Sequence, residues 1–330
     1  MKSNLDRWRR ALVGSAVMAS ALVASCGGGQ QVQAFTPDRV ISFGDETSVL
    51  DDFKGDANAR KYTVNATVSA TDATLDCKQH PLWIQSVANF YSLVFPQCNP
   101  QPNAVAAPAS RARAVAGAKV ADLAAQIDAQ LAESPFNGKD LVTILIGQND
   151  VLAQYAQYPA VDEPQLIANL DAAGKALGEQ INRIATAGAK VVVSTVPDQG
   201  LTPFATAEFN AHPEVNRATL LSRLTARLNG SMRATIINDG RMIGLILTDE
   251  YFQAIERVVN AGGFSNVTTP VCDLTKSALV PPSILDCTSL TLISGGDAGT
   301  YLWADTTHLS SGGQLALGSL ATTRVTSNPF

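Results

Sequence analysis

The feature that most constrains this chain is a set of short, uninterrupted apolar runs, each closed by a turn and separated from the next by a helix-like pattern. Val40-Ile41-Ser42-Phe43 ends in Gly44-Asp45, and Val142 to Ile146 ends in Gly147-Gln148-Asn149-Asp150. Val191 to Thr195 is stopped by Pro197, and Ala234-Thr235-Ile236-Ile237 runs into Asn238-Asp239-Gly240. Strands that are apolar on both faces need helices on both faces, which is the arrangement of a parallel α/β sheet. Helices are legible between them. Asp162 and Pro164 open one that carries Leu166, Ile167, Leu170, Leu177, Ile181 and Ile184, with Gly188 as its stop. Pro213 opens another through Leu220, Leu221, Leu224 and Leu228, with Gly230 placed past its end. Val120, Leu123, Ile127 and Leu131 share helical spacing, and Gly312 to Thr323 reads as a closing helix. The stretch from Gln101 to Ala112, rich in alanine and proline, has no period and reads as a surface loop.

The N-terminus carries a different message. Lys2, Arg7, Arg9 and Arg10 precede an apolar run from Ala11 to Ala24, too short to span a bilayer as a helix. Small residues then lead into Cys26, so residues 1–25 read as a cleaved signal peptide. Val23-Ala24-Ser25-Cys26 resembles the lipobox of bacterial lipoproteins, which implies lipidation of Cys26; the alternative is an ordinary secretory signal. Gly27 after the cysteine, rather than aspartate, points to the outer membrane of the cell envelope. Residues 26–37 then have the composition of a tether, leaving 38–330 as one domain. With 46% hydrophobic and 16% charged residues the body is globular. A net charge of −5 offers no basic footprint for nucleic acid.

Beyond Cys26 the cysteines are Cys77, Cys98, Cys272 and Cys287. In an exported chain they are expected as disulfides, and closeness in sequence favours Cys77–Cys98 and Cys272–Cys287 over the other pairings. A zinc site on Cys77 and His80 is the sharper alternative, but it lacks a second ligand pair. No metal and no organic cofactor is expected. His80 and His212 lack a carboxylate arrangement of the kind a general base needs and read as loop residues.

In an open parallel sheet, ligands bind beyond the carboxyl ends of the strands. There the chain places Gly44-Asp45-Glu46-Thr47-Ser48, Gly147-Gln148-Asn149-Asp150 and, near the C-terminus, Asp305-Thr306-Thr307-His308. Asp305 is spaced to hold the His308 imidazole in one tautomer, as a general base requires. Together with Val115-Ala116-Gly117-Ala118-Lys119-Val120, these segments resemble, in order, the sequence blocks of the SGNH or GDSL hydrolases. Val196 to Pro203, and Gly263 to Thr268 with Cys272, resemble further stretches of lipase-like members. The resemblance implies a flavodoxin-like α/β/α sandwich of about five parallel strands in the order 2-1-3-4-5. It also implies Gly117 and Asn149 as oxyanion donors, and Asp305 and His308 as acid and base.

One position departs. The family reads Gly-Asp-Ser, and this chain reads Gly44-Asp45-Glu46. As a direct nucleophile on an ester, Glu46 would form a reactive anhydride with little advantage over the ester. As a general base, Glu46 or His308 would activate water while Gly117 and Asn149 stabilise the oxyanion. As a structural replacement, its carboxylate would reach into the oxyanion hole and pair with His308. In a shifted site, Ser48 or Thr47 would take over as nucleophile. The expectation is an envelope-anchored acyl ester hydrolase acting on an ester or acylated lipid. Its rival is an inactive relative that binds a lipid or acylated glycan in the same cleft.

Overall fold

The computed structural model describes residues 34–258, 261–327 and 330, so the expected signal peptide and Cys26 lie outside it. Five parallel strands form the central sheet: β1 (Arg39–Gly44), β2 (Arg111–Ala112), β3 (Asp140–Leu145), β4 (Lys190–Ser194) and β5 (Ile243–Ile246). Their order across the sheet is β2-β1-β3-β4-β5, the expected 2-1-3-4-5.

The apolar runs are buried on alternate faces, as a doubly covered sheet demands. Ile41, Phe43, Val142, Ile144, Val191 and Val193 pack with the stripes of α2 (Leu123–Glu133), α4 (Glu163–Thr186) and α6 (Arg217–Thr235). The alternate residues Val40, Leu141 and Val192 are equally buried. On that side α1 (Trp83–Phe90) and α8 (Ser311–Thr326) pack on each other, α1 against β1 and α8 against β4 and β5. Helices α3 (Gln148–Tyr155), α5 (Pro203–Ala211) and α7 (Thr248–Arg257) complete the frame.

Two sequence expectations need correction. Ala234-Thr235-Ile236-Ile237 is not a strand: α6 runs through Gly230 to Thr235, and the last strand is Ile243–Ile246. The stripe of Leu220, Leu224 and Leu228 continues to buried Met232, so packing carries the helix past the glycine. Within the supposed loop, Arg111–Ala112 forms edge strand β2, pairing Ile41 with Arg111 and Ser42 with Ala112.

Long insertions follow β1 and α7. Each is closed by a disulfide, Cys77–Cys98 in the first and Cys272–Cys287 in the second, which removes Cys77 from any zinc site. The two insertions clasp each other. Asn65 N–H donates to the Cys287 carbonyl at 2.9 Å, Ser289 N–H donates to the Asn65 carbonyl at 3.0 Å, and Arg60 pairs with Asp286. Beneath the first bridge, fully buried Lys61 points its ammonium at the carbonyls of Cys77 (3.1 Å), Gln79 (2.7 Å) and His80 (2.7 Å). Three donors meet three acceptors, which is how a buried ammonium is satisfied. Its pKa is nonetheless pushed down by burial, to about 7.

Candidate active site

At the end of β1 the chain turns sharply. Gly44 has φ +143°, and a Cβ there would lie 2.1 Å from the Leu145 carbonyl oxygen, so only glycine lets β1 approach β3 this closely. Asp45 then caps a 3₁₀ turn, Glu46–Ser48, by accepting from the Thr47 N–H at 3.0 Å.

Glu46 points into the cleft. Its Oε2 accepts from the Gly117 N–H at 2.8 Å and from Asn149 Nδ2 at 2.9 Å, and its Oε1 lies 3.1 Å from the same Nδ2. Gly117 can present its N–H because its φ of +76° is in the left-handed region. Asn149 sits at the start of α3 and also donates to the Ala118 carbonyl at 3.2 Å. Asp150 next to it accepts from the Val120 N–H at 2.9 Å, strapping the Gly117 loop to α3. The groups that the resemblance assigns to an oxyanion are therefore bonded to the protein's own carboxylate.

On the opposite side, His308 Nδ1 lies 2.9 and 2.8 Å from the two Asp305 carboxylate oxygens, and the His308 N–H also donates to Asp305 at 2.8 Å. The segment is a series of bends rather than a helical turn, with Thr63 Oγ1 donating to the Leu309 carbonyl at 2.8 Å beside it. His308 Nε2 faces Glu46 Oε1 at 3.8 Å, an ion-pair distance beyond a hydrogen bond. Burial opposes charging of the imidazole. The Asp305 hydrogen bond and the charges of Asp305, Glu46 and Asp45 outweigh it and raise the His308 pKa. Asp305, despite burial, is held below the usual carboxylate range by His308 and the Thr307 and His308 N–H groups. Asp45 goes the other way: burial, then the Glu46 charge, pushes its pKa up to about 8.

Thus Glu46, Gly117, Asn149, Asp305 and His308 come together, and Ser48 does not join them. Ser48 is fully buried, and its hydroxyl accepts from Trp83 Nε1 at 3.0 Å. Thr47 is fixed too, its carbonyl accepting from Gln314 Nε2 at 3.4 Å, while Gln314 Oε1 accepts from the Trp83 backbone N–H at 3.1 Å. Trp83 and Gln314 hold the turn from behind, and nothing in their local sequence marks them for it. Gln126 was likewise missed: its amide exchanges hydrogen bonds of 2.9 and 2.8 Å with the N–H and carbonyl of Gly44. The Tyr62 ring, 5.7 Å from that of His308, covers the imidazole from the first insertion. His80 Nδ1 lies 3.1 Å from the Val64 carbonyl, and His212 lies outside the cluster, 3.4 Å from Glu214. Among the described residues no group of side chains is suited to hold a metal ion.

The family model of GDSL-like lipases and acylhydrolases matches residues 82–320, a span that includes Gly117, Asn149, Asp305 and His308. The chain belongs to this family. The match begins after the Glu46 turn. The acetylxylan esterase Axe2 from Geobacillus stearothermophilus is similar in structure, with TM-score 0.42 and 14% identity over 90% of this chain and 98% of that one. A lipase from a goat rumen metagenome, Lip_vut3, gives TM-score 0.48 and 13% identity over 88% of this chain and 98% of its own. No curated protein matches the sequence.

Proposed function

We propose that this protein is an envelope-anchored member of the acylhydrolase family that binds acylated ligands, lipid or acylated glycan, without hydrolysing them by the serine route. The observation that carries this reading is the Glu46 carboxylate seated on Gly117 N–H and Asn149 Nδ2. Charge developing on an ester oxygen needs those donors free. Here a fixed negative charge already takes them, in the place of a carboxylate product. The serine position holds no hydroxyl, and the Ser48 hydroxyl is committed to Trp83. Water-activated hydrolysis through Glu46 is disfavoured for the same reason, since the base and the oxyanion would compete for one set of donors.

A place for an acyl chain remains beside the occupied donors. A groove of about 450 Å³ runs along Val115, Ala116, Gly117 and Ala118 and across Ala125 and Ala129 of α2, with Arg113, Asp122 and Gln126 also on its walls. Its small apolar side chains suit methylene groups, each worth ~0.8 kcal/mol when buried. Membrane attachment through a lipid on Cys26, after removal of residues 1–25, completes the proposal; intact-mass analysis of the mature N-terminus tests it.

The function test is turnover of short-chain aryl esters, paired with binding of a fluorescent fatty acid. Wild type is expected to bind the probe and leave esters at the blank rate. Ester turnover that disappears in Glu46→Gln but survives in Ser48→Ala would overturn the proposal in favour of a glutamate acting through water.

A further inference from the structure

A second pocket, of about 380 Å³, lies between the two insertions and outside the Glu46 cleft. That is within the usual size range of small-molecule sites. Residues of 51–60 and 73–75 form its wall on the first insertion, and Asp286, Thr288 and Thr291 belong to the wall on the second. Both walls are fastened. Asn58 Nδ2 donates to the Leu75 carbonyl at 2.7 Å, and its Oδ1 accepts from the Cys77 N–H at 2.9 Å, which ties the 51–60 loop to the first disulfide. Asp52 closes that loop by accepting from the N–H groups of Asp56 and Ala57, both at 3.1 Å. Arg60 and Asp286 join the two walls as an ion pair. The pocket is therefore shaped before a ligand arrives, which lowers the ordering cost of binding.

Four aspartates and three Lys or Arg side chains line the pocket, so its net charge is close to zero and favours neither an anion nor a cation strongly. Asp52 and Asp286 are already engaged as described. The Asp51 carboxylate and the Lys54 ammonium hydrogen-bond to none of the described residues. One accepts and the other donates, which complements a hydroxyl group, since a hydroxyl does both. Beside them the Phe53 ring stands 62% exposed on the wall. It is steadied by Lys54 Nζ at 5.8 Å and the Arg60 guanidinium at 5.3 Å from its centroid. An aromatic face with a free acceptor and a free donor at its edge suits a molecule with hydroxyls at its rim and C–H groups on its face. A pyranose ring has that form.

We infer that this pocket binds a neutral saccharide, the sugar part of an acylated glycan whose acyl group lies in the Glu46 cleft. The inference rests on the acyl-binding reading above and selects glycan over free lipid. The chain connects the two places directly. From Glu46 to Asp51 is five residues, at most about 18 Å when extended. Tyr62 stands between them, its ring 5.7 Å from that of His308. Burial raises the Tyr62 pKa, and the charges of Asp51 and Glu46 raise it further, so its hydroxyl is within reach of both the pocket and the cleft.

The experiment titrates the exported protein with unmodified maltose, cellobiose and N,N′-diacetylchitobiose, followed by saturation-transfer NMR and calorimetry, alongside the fluorescent fatty acid. At least one disaccharide is expected to bind. Phe53→Ala and Asp51→Ala should each weaken it at least fivefold, and Phe53→Trp, which keeps an aromatic face, should retain it. Thermal unfolding of each variant confirms that the fold is intact. Fatty-acid binding without binding of any disaccharide overturns the saccharide site and leaves the acyl reading standing. Disaccharide binding that depends on Phe53, in a protein that ignores the fatty acid, supports the pocket and sinks the acyl reading instead. Disaccharide binding untouched by both alanine variants places the sugar elsewhere and overturns the inference. Tighter binding of galacturonic acid or glucosamine than of the neutral sugars overturns the neutral class.

Discussion

The two sides of the candidate site have the same kind of support and opposite outcomes. Asp305 and His308 have the three-residue spacing that the sequence resemblance pointed to, and the fold brings them to hydrogen-bonding distance with the imidazole turned toward the cleft. The turn from Asp45 to Ser48 is held just as firmly by Trp83, Gln314 and its own Asp45 cap, but delivers a carboxylate. On the proposed reading, the contrast teaches that a hydrolase-like frame can persist when one carboxylate takes up its donors. Glutamate supplies by itself the charge, the two acceptor oxygens and the length that a bound acid product would bring.

If only that side chain separates the two sides from a working pair, Glu46→Ser should restore one. The substitution frees Gly117 N–H and Asn149 Nδ2 and puts a hydroxyl on the His308 side. Ester turnover should rise at least about tenfold, equivalent to roughly 1.4 kcal/mol of barrier. Adding His308→Ala should return it to the blank rate. No gain in a folded Glu46→Ser protein would show that the turn has diverged beyond one residue.

Ser48→Ala sharpens the comparison on the other side. It leaves the buried Trp83 indole Nε1–H without its acceptor and should cost about 1–3 kcal/mol in denaturant unfolding. Ester turnover in the Glu46→Ser background should be unchanged. A loss of turnover without loss of stability would make Ser48 a participant.

Asp45→Asn probes the carboxyl buried behind the turn. Because the folded-state pKa of Asp45 is raised to about 8 from 3.8, its contribution to stability is fully present below pH 3.8 and is lost as the pH rises through 8. An amide does not titrate and can still cap Thr47. The variant should therefore gain on wild type as pH rises from 5 to 8, by about 1–3 kcal/mol, and the gain should level off above. Equal stability differences at both pH values, measured by thermal unfolding, would break this account.

The smallest effect is expected from Glu46→Gln. Its oxygen can still accept from Gly117 and Asn149, but the charge facing His308 is gone. The His308 pKa, followed by NMR, should fall while remaining supported by Asp305.

The sheet was legible where burial is two-sided, because Val40 to Phe43 and Val191 to Val193 carry their environment in their own side chains. Edge elements were not. Arg111–Ala112 is two residues of strand with no apolar run, and Ile243–Ile246 contains Gly244, whose missing side chain leaves room for the Phe330 ring. At the site, Asp305 and His308 were readable from a three-residue spacing. The destination of the Glu46 carboxylate was not, because its partners lie 71 and 103 positions away and only the fold decides whether they are reached. Trp83 and Gln314 were hidden for the same reason.

The order of the cysteines bears on how the chain matures. Cys77 joins the next cysteine, Cys98, and Cys272 joins the next, Cys287. If the chain is exported N-terminus first and lipid takes up Cys26, as proposed above, an oxidant that links the remaining thiols in their order of arrival produces this connectivity directly. Reshuffling of mispaired bridges is not required. On that proposal the first bridge closes while most of the sheet has yet to arrive, and sequential oxidation alone yields the two observed pairs.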